Sequence, residues 1–107
     1  MTDLINTTDF NTRSQASISI TGGVAVVDLY HINPKSTTRK SIIVSTTFQT
    51  YSKFFKDNAR ATLGNMSNAL NGGIMIVETD RNGGLNCVRV GTANNDYNGQ
   101  LVATLGY

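Results

Sequence analysis

The chain has no tryptophan, one proline, one cysteine (Cys87), one histidine (His31) and one glutamate (Glu78). A single cysteine excludes a disulfide within the chain, and the Cys and His content offers no metal-ligand spacing. No apolar run approaches the ~20 residues that cross a bilayer as a helix. The opening Met1-Thr2-Asp3-Leu4-Ile5 lacks the basic start and apolar stretch of a signal peptide. The expected compartment is the cytoplasm, a host's if the chain is viral, with no membrane partner. Charged residues make up only 15%, against about 25% in an average soluble domain.

Enzyme motifs are missing too. No Gly-Lys-Thr/Ser ending closes a phosphate loop, and neither a Gly-x-Ser-x-Gly elbow nor a His-Glu-x-x-His pair occurs. Isolated reactive side chains remain. His31 has Asp28 three positions before it, but residues three apart on a strand face opposite sides, so His31 reads as a strand-end imidazole bonded to backbone or solvent. Cys87 has Arg89 two positions on, a charge that could lower its pKa, yet a lone cysteine usually packs as a small apolar group. Glu78 and Asp80 share a strand face, but Asp80 opens a turn, where Asp is common for local bonding. Neither enzymatic activity nor a cofactor is expected.

In place of charge the chain carries fourteen Thr, twelve Asn, ten Gly and eight Ser. A Thr/Asn/Ser surface suits extended structure and is familiar from viral and phage proteins. At 107 residues the length fits one domain with a modest core. Residues 1–14 are polar and aperiodic, and read as a flexible N-terminal arm ahead of a single domain over 15–107.

Ala16, Ile18 and Ile20 alternate with Ser17 and Ser19, the pattern of a half-buried strand. Thr21-Gly22-Gly23 turns the chain into a second strand over 24–32, ended by Asn33-Pro34. A third strand is expected over 40–45, a hairpin over 74–79 and 85–90, and a last strand over 100–105. Between them Thr46 or Thr47 can cap a helix. Phe48, Tyr51, Phe55, Ala59, Leu63, Met66 and Leu70 then recur at three- and four-residue spacing. The expected fold is α+β, with about six antiparallel strands in the order β-β-β-α-β-β-β packed on one long central helix. Six strands make a sheet roughly 29 Å wide, which a helix ~10–12 Å across cannot cover. Several strands are apolar on both faces, so the sheet either closes or is covered by a second protomer. A homodimer is the expectation.

Positive charge is concentrated. Residues 34–60 hold six of the nine Lys and Arg and one of the seven acids. Lys35, Arg39 and Lys40 fall in a loop, and Lys53, Lys56 and Arg60 form a ridge on the expected helix. Cations beside aromatics suit a surface that tracks phosphates and stacks bases, with Tyr30 and Tyr51 as stacking candidates. The expected function is nucleic-acid binding without catalysis. Single-stranded DNA or RNA is favoured, because no recognition-helix motif stands out. The alternative is a small phage- or virus-type protein that binds and inhibits an acidic protein partner, or a virion accessory subunit.

Overall fold

The structure, a computed structural model, describes residues 2–3, 6–43, 58–65, 73–79 and 84–106. All regular structure among them is strand. In chain order the strands are β1 (Thr2–Asp3), β2 (Gln15–Thr21), β3 (Val24–Ile32), β4 (Ser41–Ile43), β5 (Arg60–Asn65), β6 (Met75–Thr79), β7 (Leu85–Val90) and β8 (Tyr97–Thr104). They lie in the order β1-β2-β3-β8-β5-β6-β7-β4, and every pairing is antiparallel.

The β2–β3 hairpin is closed by Gly22 and Gly23 at φ 59° and 78°. Two successive positive values are what a two-residue turn needs if its twist is to match the strands. The turn aligns Thr21 with Val24 and sets the register down to Gln15 opposite Tyr30. Ala16 and Ile18 then share the inner face with Val27 and Leu29, while Ser17 and Ser19 look outward.

The expected helix is overturned at its centre, where Arg60–Asn65 forms β5 between β6 and β8. Ala59 and Leu63, four apart, fit a helical stripe, but residues four apart also share one face of a strand. Ala61, between them, packs against the same core, which is strand alternation. Thr62, Gly64 and Asn65 are weak helix formers, so local propensity offers no resistance. The fold is therefore all-β rather than α+β. The remainder of the expected helix, with Phe48, Tyr51, Lys53, Phe55, Lys56, Met66 and Leu70, lies outside the described residues.

The sheet covers its own inner face by curling. Ile18, Val27, Leu29 and Leu101 from one half meet Leu63, Met75, Val77, Leu85 and Cys87 from the other in one buried cluster. The bend falls where β5 meets β8. These strands pair only at Gly64–Asn98 and Asn65–Tyr97, and the preceding β5 residue, Leu63, packs against Gly99. A side chain on Gly99 would stand 2.7 Å from Leu63 Cδ2 and 3.4 Å from Leu63 Cα, so Leu63 occupies the space that glycine leaves empty.

Residues 6–14 lie against this body. Phe10 is 1% exposed and bridges Pro34. The Asn6 N–H donates to the Ile42 carbonyl at 2.8 Å, and the Lys35 N–H to the Asp9 carbonyl at 2.9 Å. Among the described residues no helix is long and apolar enough to cross a membrane.

Candidate nucleic-acid interface

Register builds one polar row across the second half of the sheet. Arg60 aligns with Glu78, Glu78 with Asn86, and Asn86 with Ser41. Residues in register across antiparallel strands point to the same face. Because Leu63, Val77 and Leu85 point inward, this row points outward. The Ser41 hydroxyl donates to Asn86 Oδ1 at 2.9 Å. At the β4 end of the row Arg39 and Lys40 join Ser41, Glu78, Asn86 and Val88 around an open cleft of about 270 Å³. Two cations, a carboxylate, an amide and a hydroxyl thus line one cleft.

A second row runs beside the first, with Thr62 aligned to Ile76 and Ile76 to Arg89. Arg89 was not expected on this face. Simple alternation along β7 would place it inward with Leu85 and Cys87. An irregularity at Ile76–Val77 puts Cys87 opposite Val77 but Arg89 opposite Ile76, so the strand changes phase at Val88. A charge on the apolar phase of a strand is the sequence signal of such a bulge.

The same bulge separates Cys87 from Arg89. Cys87 is buried, with its Sγ 3.5 Å from Met75 Sδ. Burial pushes its pKa up to about 12, so the thiol stays protonated at neutral pH. Glu78 lines the cleft, while Asp80 is outside the described residues. Among those described, no group of three or more His, Cys, Asp or Glu could hold a metal ion.

Of the expected contact residues, Arg39, Lys40 and Arg60 come together on this face. Arg39, Arg60 and Arg89 are exposed or flank the cleft and form no ion pair among the described residues. Lys40 reaches Asp9 Oδ1 at 3.8 Å. Lys35 is exposed, and its Nζ donates to the Thr7 carbonyl at 3.2 Å. Lys53, Lys56 and Tyr51 lie outside the described residues. Tyr30, 47% exposed, stands on β3 with β8 between it and β5, so it belongs to the other half of the sheet.

His31 is partnered across the fold rather than along the strand. Its Nδ1 meets Asp96 Oδ2 at 2.9 Å, while Asn33 Nδ2 donates to Asp96 Oδ1 at 2.6 Å and Arg13 approaches the same oxygen at 3.3 Å. Asp28 instead accepts from Gln100 Nε2 at 2.7 Å. The cause is backbone. His31 has φ 52°, and the β3–β8 register shifts between Leu29 and Ile32, which takes the imidazole out of strand alternation. The Asn33 amide, reinforced by His31 and the Arg13 charge, holds the Asp96 carboxyl below the usual range despite its partial burial. The cluster ties the loop before β8 to the end of β3 and to residue 13.

No protein-family model matches the chain, and no curated protein or solved structure matches it either.

Proposed function

We propose that this is a nucleic-acid-binding protein without catalytic activity, which holds a single strand on the outward face of β5-β6-β7-β4. The observation that carries the proposal is the cross-strand row ending in the Arg39–Lys40 cleft. The row runs from Arg60 through Glu78 and Asn86 to Ser41, where Arg39 and Lys40 line the cleft, and Arg89 stands one row away. Cations spread along a strand-built face can follow successive phosphates, while Asn86 and Ser41 in the cleft supply neutral hydrogen-bonding groups. No helix among the described residues is placed to enter a major groove, which supports the single-strand preference.

Fluorescence anisotropy with labelled single- and double-stranded oligonucleotides, titrated at low and physiological salt, tests the proposal. Micromolar or tighter binding that weakens with salt, stronger for single strands, is expected. Arg60→Glu combined with Arg89→Glu places two carboxylates on exposed strand positions and abolishes the binding without unfolding the sheet. If binding survives that double change at low and moderate salt, this face is not the site. If wild-type protein binds no oligonucleotide even at low salt, the cations point to an acidic protein partner.

A further inference from the structure

The first two residues of β8 pair with β5, and among the described residues no strand pairs along the rest of that edge. β8 runs the length of β3 on one side. On the other it is in ladder register with β5 only at Tyr97 and Asn98, with Leu63 of β5 packed against Gly99. Near its far end the Leu105 N–H donates to the Gly23 carbonyl at 2.8 Å. Hydrogen-bonded and non-bonded pairs alternate along an antiparallel ladder. Counting back from Leu105, the bonded pairs with β3 are Ala25–Ala103, Val27–Leu101 and Leu29–Gly99. The backbone N–H and C=O groups of Gln100, Val102 and Thr104 therefore point the other way, to the side that β5 has left. Among the described residues no strand pairs with them there. All three residues are exposed, Val102 at 56%.

We infer that this edge is the contact between two copies of the chain, joined antiparallel about a two-fold axis through Val102. Three observations select a second copy as the occupant. The open window, residues 99–105, is centred on Val102. A two-fold axis there uses the whole window in both copies and stops where Gly64 already occupies the edge at Asn98. The window, Gly-Gln-Leu-Val-Ala-Thr-Leu, has no charge and no proline, the devices that usually blunt an edge, so a copy meets no like charge. The β4 end of the sheet differs: β4 follows directly on Arg39 and Lys40, which repel their own copies.

The third observation is side-chain complementarity. Val102 is in register with Val26 on the outward face. Pairing two β8 edges joins Val26 and Val102 of one copy to Val102 and Val26 of the other in an unbroken apolar row. Gln100 falls opposite Thr104 of the other copy, amide against hydroxyl. The interface is thus an edge, unlike the covered sheet face expected from the apolar pattern.

Sedimentation velocity of the full chain over a range of concentrations tests the inference, together with two substitutions at the axis. Wild-type protein sediments as a dimer that dissociates on dilution. Val102→Lys sets like charges against each other at the axis and halves the sedimenting mass, with an unchanged far-UV circular dichroism spectrum. Val102→Cys brings two thiols within the Cα separation of about 5.5 Å that a disulfide spans. It gives a covalent dimer on mild oxidation, whereas wild-type protein, whose cysteine is buried, does not. A monomeric wild type, a dimer that persists in Val102→Lys, or a Val102→Cys protein that fails to cross-link would each overturn the inference.

Discussion

The two halves of the sheet bury the same kind of residue and show opposite faces to the outside. β2, β3 and β8 present Ser17, Ser19, Val26, Val102, Gln100 and Thr104 outward, with Asp28 among them. β5, β6 and β7 present Arg60, Thr62, Ile76, Glu78, Asn86 and Arg89, and β4 brings Arg39 and Lys40 to their edge. Inward, Val27, Leu29 and Leu101 are interchangeable in kind with Leu63, Val77 and Leu85. A core needs volume and apolarity and is met by many sequences. The outer face is free of that constraint, so the difference between the halves is where function is to be sought.

The largest effect should come from cutting the halves apart. Leu63, fully buried, is the β5 residue that fills the space above Gly99. Leu63→Ala should destabilise the fold by about 2–5 kcal/mol, read from urea unfolding. Because both halves share one cluster, a single transition should shift. Two separated transitions would mean that the halves are independent units.

Next comes the Asp96 cluster, which anchors the loop leading into β8 on the first half. The folded state depresses the Asp96 pKa, so this carboxylate adds stability that is fully present above its unfolded value, ~3.9. That contribution is lost as pH falls through the lower folded value. Asp96→Asn removes the charge-assisted bonds and should cost about 1 kcal/mol at neutral pH. Its stability should also fall less steeply below pH ~4 than that of wild type. An unchanged acid slope would assign the acid sensitivity to other carboxylates.

The smallest effect should come from changing charge on the face not proposed to bind. Asp28→Asn removes the carboxylate among the outward residues of β2, β3 and β8 while keeping a hydrogen-bonding group for Gln100. Oligonucleotide affinity should move by about twofold or less at physiological salt, since screening damps charges beyond ~8 Å. A rise as large as the loss in the Arg60→Glu, Arg89→Glu protein would place the binding face on the wrong half.

Several elements could be read from residue order because their cause is local. Gly22-Gly23 between alternating runs announces a hairpin, and both glycines take positive φ. The apolar residues on either side of residues 80–84 form β6 and β7. Residues 60–65 resisted because i, i+4 spacing satisfies a strand as well as a helix, and only the pairing partners on β6 and β8 distinguish the two. His31 was expected to bond to backbone or solvent. A positive φ and a register shift instead bring it to Asp96, sixty-five residues away in the chain.

The candidate face divides in the same way. Arg39 and Lys40 are neighbours in the chain, whereas Arg60 was expected on a helix ridge with Lys53 and Lys56 and stands on β5 instead. Their meeting on one surface is nevertheless a product of strand register, and Arg89 joins them only because a bulge turns it outward.

Residue order alone determined the composition of the surface, the Gly22-Gly23 hairpin turn, the lack of a disulfide within the chain and the concentration of positive charge in residues 34–60. Each depends on bonds or counts within a few residues, where chain connectivity enforces proximity. Tertiary structure decided that β5 is a strand, that the sheet curls over its own core, and which cations share a face. It also left residues 99–104 of β8 without a strand partner on the β5 side among the described residues. These features depend on pairings between residues far apart in the chain, and a hydrogen-bond ladder selects its partner strand only once apolar burial has brought the two together.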